Sequence, residues 1–154
     1  MILIAHRGNI DGRIESLENQ PMYIDLAISK GYDVEIDVWY KDNILLLGHD
    51  KPDYDVDFNW FKDRIDKLWV HCKNIEAIIY FKNCGYDINY FWHENDDYTI
   101  IATGKVLVKP GKELIENSIC CMPEMGYIGD ITKCYAIMTD NIKEYEIYNS
   151  RLHN

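Results

Sequence analysis

Residues 32–40 constrain the fold more than any other segment, because they contain a regular alternation of apolar and acidic side chains. Three aliphatic residues alternate with three acidic residues: Val34, Ile36 and Val38 against Asp33, Glu35 and Asp37. Side chains two positions apart on a strand point to the same face, so the segment predicts a β-strand with one apolar and one acidic face. Two interpretations stay open for Glu35 and Asp37. They form a solvated strand face, or they bind a divalent cation that offsets the cost of burying two like charges.

The rest of the first half of the chain alternates predicted strands with predicted helices. The predicted strands cover residues 2–5, 44–47 and 68–72, and the predicted helices cover residues 20–30, 57–66 and 74–83. This order is typical of parallel α/β structure. After residue 89 the pattern changes to short apolar runs at residues 89–92, 98–101, 106–108, 119–122 and 135–138. Most of the gaps between these runs are too short for crossover helices.

The length limits which α/β fold this pattern can form. An eight-stranded (β/α) barrel usually needs about 250 residues, whereas this chain has 154. We therefore expect one domain over residues 1–154, of the α/β class. Its expected architecture is a minimal TIM-type (β/α) barrel with several helices shortened or missing in the second half.

Composition restricts the partners and the cell compartment. Acidic residues outnumber basic residues by 26 to 16, and the resulting net charge of −10 repels nucleic acid and anionic membranes. No apolar run is long enough to span a membrane, so we expect a cytoplasmic protein without stable membrane insertion. The five cysteines contain no C-x-x-C pair, which favours free thiols over a disulfide framework or a zinc knuckle. Nothing in the sequence indicates an oligomeric state.

Polar residues follow the predicted strands at the points where the strands end. They are His6 and Arg7 after the first strand, Glu35 and Asp37 on the second, His49 after the hairpin, and His71 and Lys73 at the next strand. Active sites of parallel α/β folds are assembled at the carboxyl ends of the strands. We therefore expect these side chains to lie close together.

Four motifs in this order carry a family resemblance. They are AHRG at residues 5–8, ENQ at 18–20, GYDVEIDVWYKDN at 31–43 and LLLGHD at 45–50. Together they resemble the glycerophosphodiester phosphodiesterase family and, more broadly, the phosphatidylinositol-phospholipase-C-like barrel enzymes. VHCK at 70–73 resembles the Glu-x-Lys of the family's third strand, and AIMTDNIKEY at 136–145 resembles its closing strand and Thr-Asp loop. Residues 85–134 show little resemblance.

The resemblance implies roles for four residues around a substrate phosphate. His6 and His49 would be the general acid and base, because imidazole titrates near neutral pH. Arg7 and Lys73 would hold the phosphate, the guanidinium through paired hydrogen bonds and the ammonium as a point charge.

The resemblance also implies a divalent metal ion at Glu35 and Asp37. In this chain His71 stands where the family has a glutamate, so the expected ion is magnesium, calcium or manganese, with zinc added because His71 offers nitrogen. Alternatively, His71 contacts the substrate. Glu18 and Asn19 match the family's Glu-Asn pair and would orient or complete the metal site, although Asn19 is equally suited to cap the following helix.

The segment FWHENDD at residues 91–97 offers two further candidates. His93 and Asp96 would contact substrate if the segment lies at the mouth of the site. The alternative is a solvated turn.

Two functions are compatible with these residues. The first is a phosphoric diester hydrolase of lipid metabolism. It would use a metal ion to cleave a small, glycerophosphodiester-like substrate by hydrolysis or intramolecular cyclisation. The second is a catalytically inactive protein that binds a phosphate ligand or a metal on a reduced barrel. The family's insertion after the hairpin is reduced here to about KPDYDVDFNWF, which leaves glycerol specificity open.

Overall fold

The computed structural model describes residues 1–149, and within them the chain forms ten β-strands and four short α-helices. The strands are β1 (Ile2–His6), β2 (Asp33–Lys41), β3 (Ile44–Leu47), β4 (Tyr54–Val56), β5 (Leu68–Cys72), β6 (Asn89–Phe91), β7 (Tyr98–Ile100), β8 (Val106–Val108), β9 (Ile119–Cys121) and β10 (Ala136–Thr139). The helices are α1 (Pro21–Ser29), α2 (Phe58–Lys62), α3 (Ile75–Asn83) and α4 (Ile142–Tyr145). None of these helices is both long and apolar enough to cross a membrane.

All ten strands belong to one mixed sheet. A parallel set runs in the order β6, β5, β2, β1, β10, β9 and β8, and β7 then pairs antiparallel with β8. Strand β2 is long enough to pair along the same edge with β1 and then with β3. The antiparallel hairpin β3–β4 therefore branches from the middle of the sheet.

The expected minimal TIM-type (β/α) barrel is wrong. The structure is a mixed ten-stranded sheet with few short helices instead of a regular alternation of strand and helix. An antiparallel partner such as β7 needs only a short connection, whereas a parallel partner needs a crossover. Among the helices of residues 1–149 only α1 and α3 reach nine residues, and the strands from β6 to β9 contain three residues each.

The sequence predicts the individual strands and helices better than it predicts their arrangement in the fold. The predicted strands at residues 2–5, 32–40, 44–47 and 68–72 and the helices at 20–30 and 74–83 are confirmed within one or two residues at most ends. The helix predicted over residues 57–66 is shorter, because α2 ends at Lys62 and a 3-10 turn follows. The two missed elements, β4 and α4, have only three and four residues.

Local chemistry explains the longer helices. The Asn74 side chain accepts a hydrogen bond from the Ala77 amide at 3.2 Å and so caps α3, whose Ala77 and Phe81 point into the core at helical spacing. Helix α1 begins at Pro21, whose fixed φ suits the first helical position.

The sheet has an apolar core on each face. On one face, aliphatic residues of β2 such as Val34 and Ile36 pack in the larger core, which includes residues of helices α1 and α3. On the other face, a smaller core contains Ile4, Trp69, Phe91, Ile101, Leu107, Ile119, Ala136 and Met138. Glu35 and Asp37 are 2% and 0% exposed. The interpretation of β2 as carrying a solvated acidic face is therefore wrong. Buried carboxylates of this kind need positively charged groups or hydrogen-bond donors beside them.

Candidate functional site

The carboxyl ends of the parallel strands surround a cavity of about 100 Å³. Its polar wall consists of His6, Arg7, Glu35, His49, His71 and His93. The sheet curves around this cavity, so that Phe91 of β6 and Leu107 of β8 both line it although these strands are not neighbours. The sequence analysis singled out all six polar residues, and the structure brings them together.

Glu35, Asp37 and His71 form a compact group at one side of the cavity. Adjacent parallel strands place them there, because β2 and β5 pair with Asp37 opposite His71. One ligand atom from each residue lies within 4.8 Å of the other two. His71 Nδ1 is 3.1 Å from Asp37 Oδ1 and 4.0 Å from Glu35 Oε1. Ligand atoms about 2.1 Å from a shared ion are separated by roughly 3–3.4 Å, so this group needs little adjustment to hold one.

The orientation of His71 favours ligation. Its Nε2 lies 3.4 Å from the backbone oxygen of His93. A carbonyl oxygen only accepts hydrogen bonds, so Nε2 donates in this contact. Nδ1, which faces Asp37, is therefore the nitrogen that would bind an ion once it carries no proton. Metal-binding histidines generally donate their second ring nitrogen in this way. Phe91 stacks on the ring at 5.0 Å with an interplanar angle of 7° and fixes its plane.

Asp37 is held by several partners, yet one of its oxygens lacks a hydrogen bond. Asn19 Nδ2 donates to Asp37 Oδ2 at 2.9 Å, and the Asp37 amide donates back to Asn19 Oδ1 at 2.9 Å. Arg7 Nε lies 3.0 Å from the same Oδ2. The other oxygen, Oδ1, is buried and accepts no regular hydrogen bond within the described residues. A buried carboxylate oxygen in this state is suited to a cation.

Burial and neighbouring charges shift the pKa values of Glu35 and Asp37 in opposite directions. Burial and the adjacent Asp37 raise the pKa of Glu35. Burial also acts to raise the pKa of Asp37, but contacts with His71, Arg7 and Asn19 outweigh it and hold that pKa well below its usual range. The raised pKa of Glu35 shows that its charged form is under-compensated, which a divalent ion would correct.

His6 is oriented by a residue that the sequence analysis did not select. Its Nδ1 lies 2.8 Å from Asp140 Oδ1, which also accepts a hydrogen bond from Asn9 Nδ2 at 2.8 Å. Burial opposes protonation of His6, but the hydrogen bond to Asp140 and the charge of Glu35 outweigh burial and raise the pKa of the imidazole. Because Asp140 accepts at Nδ1, Nε2 remains available to a ligand in the cavity.

His49 lines the same cavity from the turn after β3. Its Nδ1 lies 2.7 Å from Asp50 Oδ1. Burial, together with the charges of Arg7 and Lys73, lowers its pKa despite nearby carboxylates. The turn depends on Gly48, which has φ +146°, and a Cβ there would lie 2.1 Å from the Lys51 carbonyl oxygen.

The two predicted phosphate ligands both lie beside Asp37. Lys73 Nζ is 3.7 Å from Asp37 Oδ1, and Arg7 makes a second contact through Nη1 to Glu18 Oε2 at 3.1 Å. Glu18 also accepts a hydrogen bond from Asn9 and so orients Arg7, and it is not part of the three-residue group. Arg7 has φ +53°, an uncommon conformation for a residue with a side chain.

Asn19 does not cap α1. The residue that precedes the helix is Gln20, and no side-chain hydrogen bond caps this end. Asn19 is buried at 1% exposure, and its amide makes both hydrogen bonds to Asp37. Of its two proposed roles, the structure supports the one at the candidate metal site.

The segment at residues 91–97 divides between the cavity and the surface. The His93 ring lies 4.6 Å from the His71 ring, and burial together with the charges of His71 and Lys73 lowers its pKa to about 4. Asp96 is exposed, accepts a hydrogen bond from the Glu94 amide, and lies at an adjoining cavity. The solvated-turn interpretation therefore fits Asp96 but not His93.

Sequence reasoning missed Asp140, Asn9 and Cys121 as residues of this site. Asp140 belongs to the Thr-Asp pair of the motif at residues 136–145, and this resemblance could have identified it as a site residue. Cys121 lines the cavity, and burial raises the pKa of its thiol. All five cysteines are free thiols.

Comparisons with known proteins identify no relative. No protein-family model, no curated protein and no solved structure matches this chain. Any functional conclusion therefore rests on the motifs and on the geometry of the cavity.

Proposed function

We propose that this protein is a metal-dependent phosphodiesterase that cleaves a small phosphodiester, as the glycerophosphodiester phosphodiesterases that its motifs resemble do. The supporting observation is the juxtaposition, in one cavity, of a three-residue cation site with two imidazoles. Glu35, Asp37 and His71 supply the cation site. His6 and His49 supply the imidazoles. The Nδ1 of His6 is hydrogen-bonded to Asp140, and that of His49 to Asp50.

Charge supports a divalent ion at this site. Four carboxylates with little exposed side chain, Glu18, Glu35, Asp37 and Asp140, lie near three permanent cations, Arg7, Arg13 and Lys73. One divalent ion would change this excess of one negative charge into an excess of one positive charge, and would give an anionic substrate a favourable place to bind despite the net charge of −10. When bound, it would polarise the phosphoryl oxygens and stabilise the charge that develops on them.

The two histidines would move the protons of the reaction. Asp140 and Asp50 hold the Nδ1 atoms of His6 and His49, so each ring presents Nε2 to a phosphodiester in the cavity. One imidazole would take the proton of the attacking oxygen, and the other would deliver a proton to the departing alcohol. The attacking oxygen would come from water in hydrolysis, or from a neighbouring hydroxyl of the substrate in cyclisation.

Arg7 and Lys73 would provide the remaining positive charge. Both contact Asp37, which holds them near the position of the phosphate. A cation bound at Asp37 would weaken these ion pairs and leave the guanidinium and ammonium groups more available to a phosphate.

The alternative is a protein that binds a phosphate ligand or a metal without turnover. Such a protein has no use for two imidazoles that line one cavity and each contact a carboxylate through Nδ1. We therefore favour the enzyme.

A screen of small phosphodiesters tests the proposal. The protein is supplemented in turn with magnesium, calcium, manganese and zinc, and phosphorus NMR separates hydrolysis from cyclisation. We expect turnover with at least one ion and loss of turnover in His6→Ala. The proposal is wrong if turnover persists after exhaustive chelation, or if no diester reacts while phosphate and metal bind.

A further inference from the structure

A second cavity, of about 170 Å³, opens beside the catalytic cavity. The two cavities share three lining residues, His93, Leu107 and Cys121. They therefore border one another, and the second cavity is within reach of one arm of a ligand bound at the imidazoles. We call this second space the β7–β8 cavity, since Thr99 of β7 and Leu107 of β8 form part of its wall.

The β7–β8 cavity is apolar inside and acidic at its mouth. Leu107 is 2% exposed, and the wall also includes Pro110 and Cys121. Thr99 is 6% exposed, and its hydroxyl lies 3.3 Å from His93 Nδ1, so its polar atom is engaged while its methyl group remains available to the cavity.

The mouth of this cavity would repel an anionic group. The exposed carboxylates of Glu94 and Asp96 line it. The one lysine of the lining, Lys109, donates from Nζ to Asn95 Oδ1 at 2.6 Å and is thereby held at the rim. Asn95 is neutral, so Lys109 keeps its charge and the mouth carries two negative charges against one positive charge. A carboxylate or a second phosphate would meet a net like charge here, whereas an uncharged group would not.

The volume sets the size of the group that fits. An engineered protein cavity of about 150 Å³ with apolar walls binds benzene. The β7–β8 cavity is slightly larger, so it accommodates a compact group of about six non-hydrogen atoms. A long alkyl chain would have to leave through the mouth, past Glu94 and Asp96.

We propose that the β7–β8 cavity is the subsite for one ester arm of the substrate, and that it selects a compact, uncharged, largely apolar alcohol of about six non-hydrogen atoms. This inference rests on the proposed phosphodiesterase function, because a diester in the catalytic cavity has two arms to place. The subsite is built from residues 93–121, which lie within the part of the chain that none of the resemblance motifs covers.

Turnover of matched diesters tests the selection. Methyl cyclohexyl phosphate, dimethyl phosphate and methyl dodecyl phosphate are compared with the manganese-loaded protein. We expect kcat/KM for the cyclohexyl diester to exceed that for the dimethyl diester by at least about tenfold, as apolar pockets typically achieve for a few added carbons. The dodecyl diester should lose most of this gain. Equal values for all three diesters would refute the subsite.

Variants at Thr99 locate the selection in this cavity. Thr99→Leu adds bulk to the wall and should reduce the cyclohexyl-to-methyl ratio of kcat/KM by about tenfold. Thr99→Val adds no bulk, and because its loss of the hydroxyl contact to His93 should affect both diesters alike, it should preserve the ratio. Thr103→Leu, at an exposed turn outside the cavity, is the matched control. An unchanged ratio in Thr99→Leu would place the selection elsewhere.

A binding measurement separates failure of the subsite from failure of the proposed function. Methyl-group NMR of the unaltered protein is recorded with methyl cyclohexyl phosphate under conditions without turnover. We expect shifts of the Leu107 and Thr99 methyl signals, which dimethyl phosphate does not reproduce. Shifts in a protein that turns over no diester of the screen, including diesters with a neighbouring hydroxyl, would support the subsite and contradict the enzyme. Turnover of the cyclohexyl diester without shifts at either methyl group would contradict the subsite alone.

Discussion

His6 illustrates at the scale of single residues what the sequence can and cannot predict. Its place directly after a short apolar strand was enough to select it, and the same reasoning found Glu35, His49 and His71. Its partner Asp140 is 134 residues away in sequence, and spacing does not reveal such a contact. The sequence thus predicts most side chains of the cavity but not the hydrogen bonds that orient them.

Replacing either cavity imidazole should remove catalysis without unfolding the protein. His6→Ala and His49→Ala should each lower turnover by at least about 10²-fold, the usual effect of losing a general acid or base. The thermal midpoint should change little, because both rings border a cavity. Steady-state kinetics and thermal melts check this. A large fall in thermal midpoint with unchanged activity per folded molecule would identify structural histidines.

Asp140 is a positioning residue whose effect is visible in the titration of His6. The hydrogen bond from Asp140 helps to raise the pKa of His6, so Asp140→Asn should lower it, and the imidazole should then lose its proton at lower pH. NMR titration of the imidazole measures this shift. Asp50→Asn is the matched control, because Asp50 contacts His49 and should leave the His6 titration unchanged.

His71→Glu tests whether this residue binds the metal ion. As a ligand, His71 must be neutral, so metal affinity in the unaltered protein should fall as the pH drops and the ring becomes protonated. The glutamate variant should shift preference from manganese or zinc towards magnesium or calcium. Calorimetric titration with each ion gives the preference. Unchanged preference with severely weakened substrate binding would instead make His71 a phosphate contact.

Strand β2 shows how reliable the sequence is at the scale of elements. Six of its nine residues, 33–38, alternate between acidic and aliphatic, which is long enough to reveal both the strand and its two faces. Strands β6 to β9 have three residues each, which is too short for a period to be read. A short apolar run also does not reveal whether its strand is parallel or antiparallel. The reversed direction of β7 was therefore invisible, and the barrel expectation failed there.

The turn after β3 should be intolerant of any side chain at Gly48. A Cβ at this position would lie 2.1 Å from the Lys51 carbonyl oxygen, and φ +146° is unfavourable for other residues. Gly48→Ala should therefore displace His49 and lower turnover by about tenfold or more, while the sheet remains folded. Kinetics together with circular dichroism check this. Gly85→Ala is a suitable control, because Gly85 also has positive φ but open space around it.

At the scale of the whole molecule, an ion at the candidate metal centre needs the pairing of β2 with β5, which the unfolded chain lacks, so occupancy should stabilise the entire fold. An ion at 100 times its dissociation constant adds about 2.7 kcal/mol. For a chain of this size that corresponds to a rise of about 5–10 °C in thermal midpoint. Manganese titration followed by thermal melts measures the rise.

Asp37→Asn should abolish this stabilisation, since it removes the charge of a carboxylate within the three-residue group. Asp55→Asn, on the exposed side of β4, should retain it. A rise of equal size in both variants would show that manganese binds elsewhere.

The pairing of β1 with β10 determines when the cavity can form. These strands lie side by side, with Ile2 opposite Ala136, and His6 then meets Asp140. Contacts across such a sequence separation give a high contact order, and folding is correspondingly slow because a long loop must close first. During synthesis on the ribosome, His6 emerges early but remains without its carboxylate partner until residue 140 has left the exit tunnel. The nascent chain therefore cannot assemble the complete site before nearly all of the described residues have been translated.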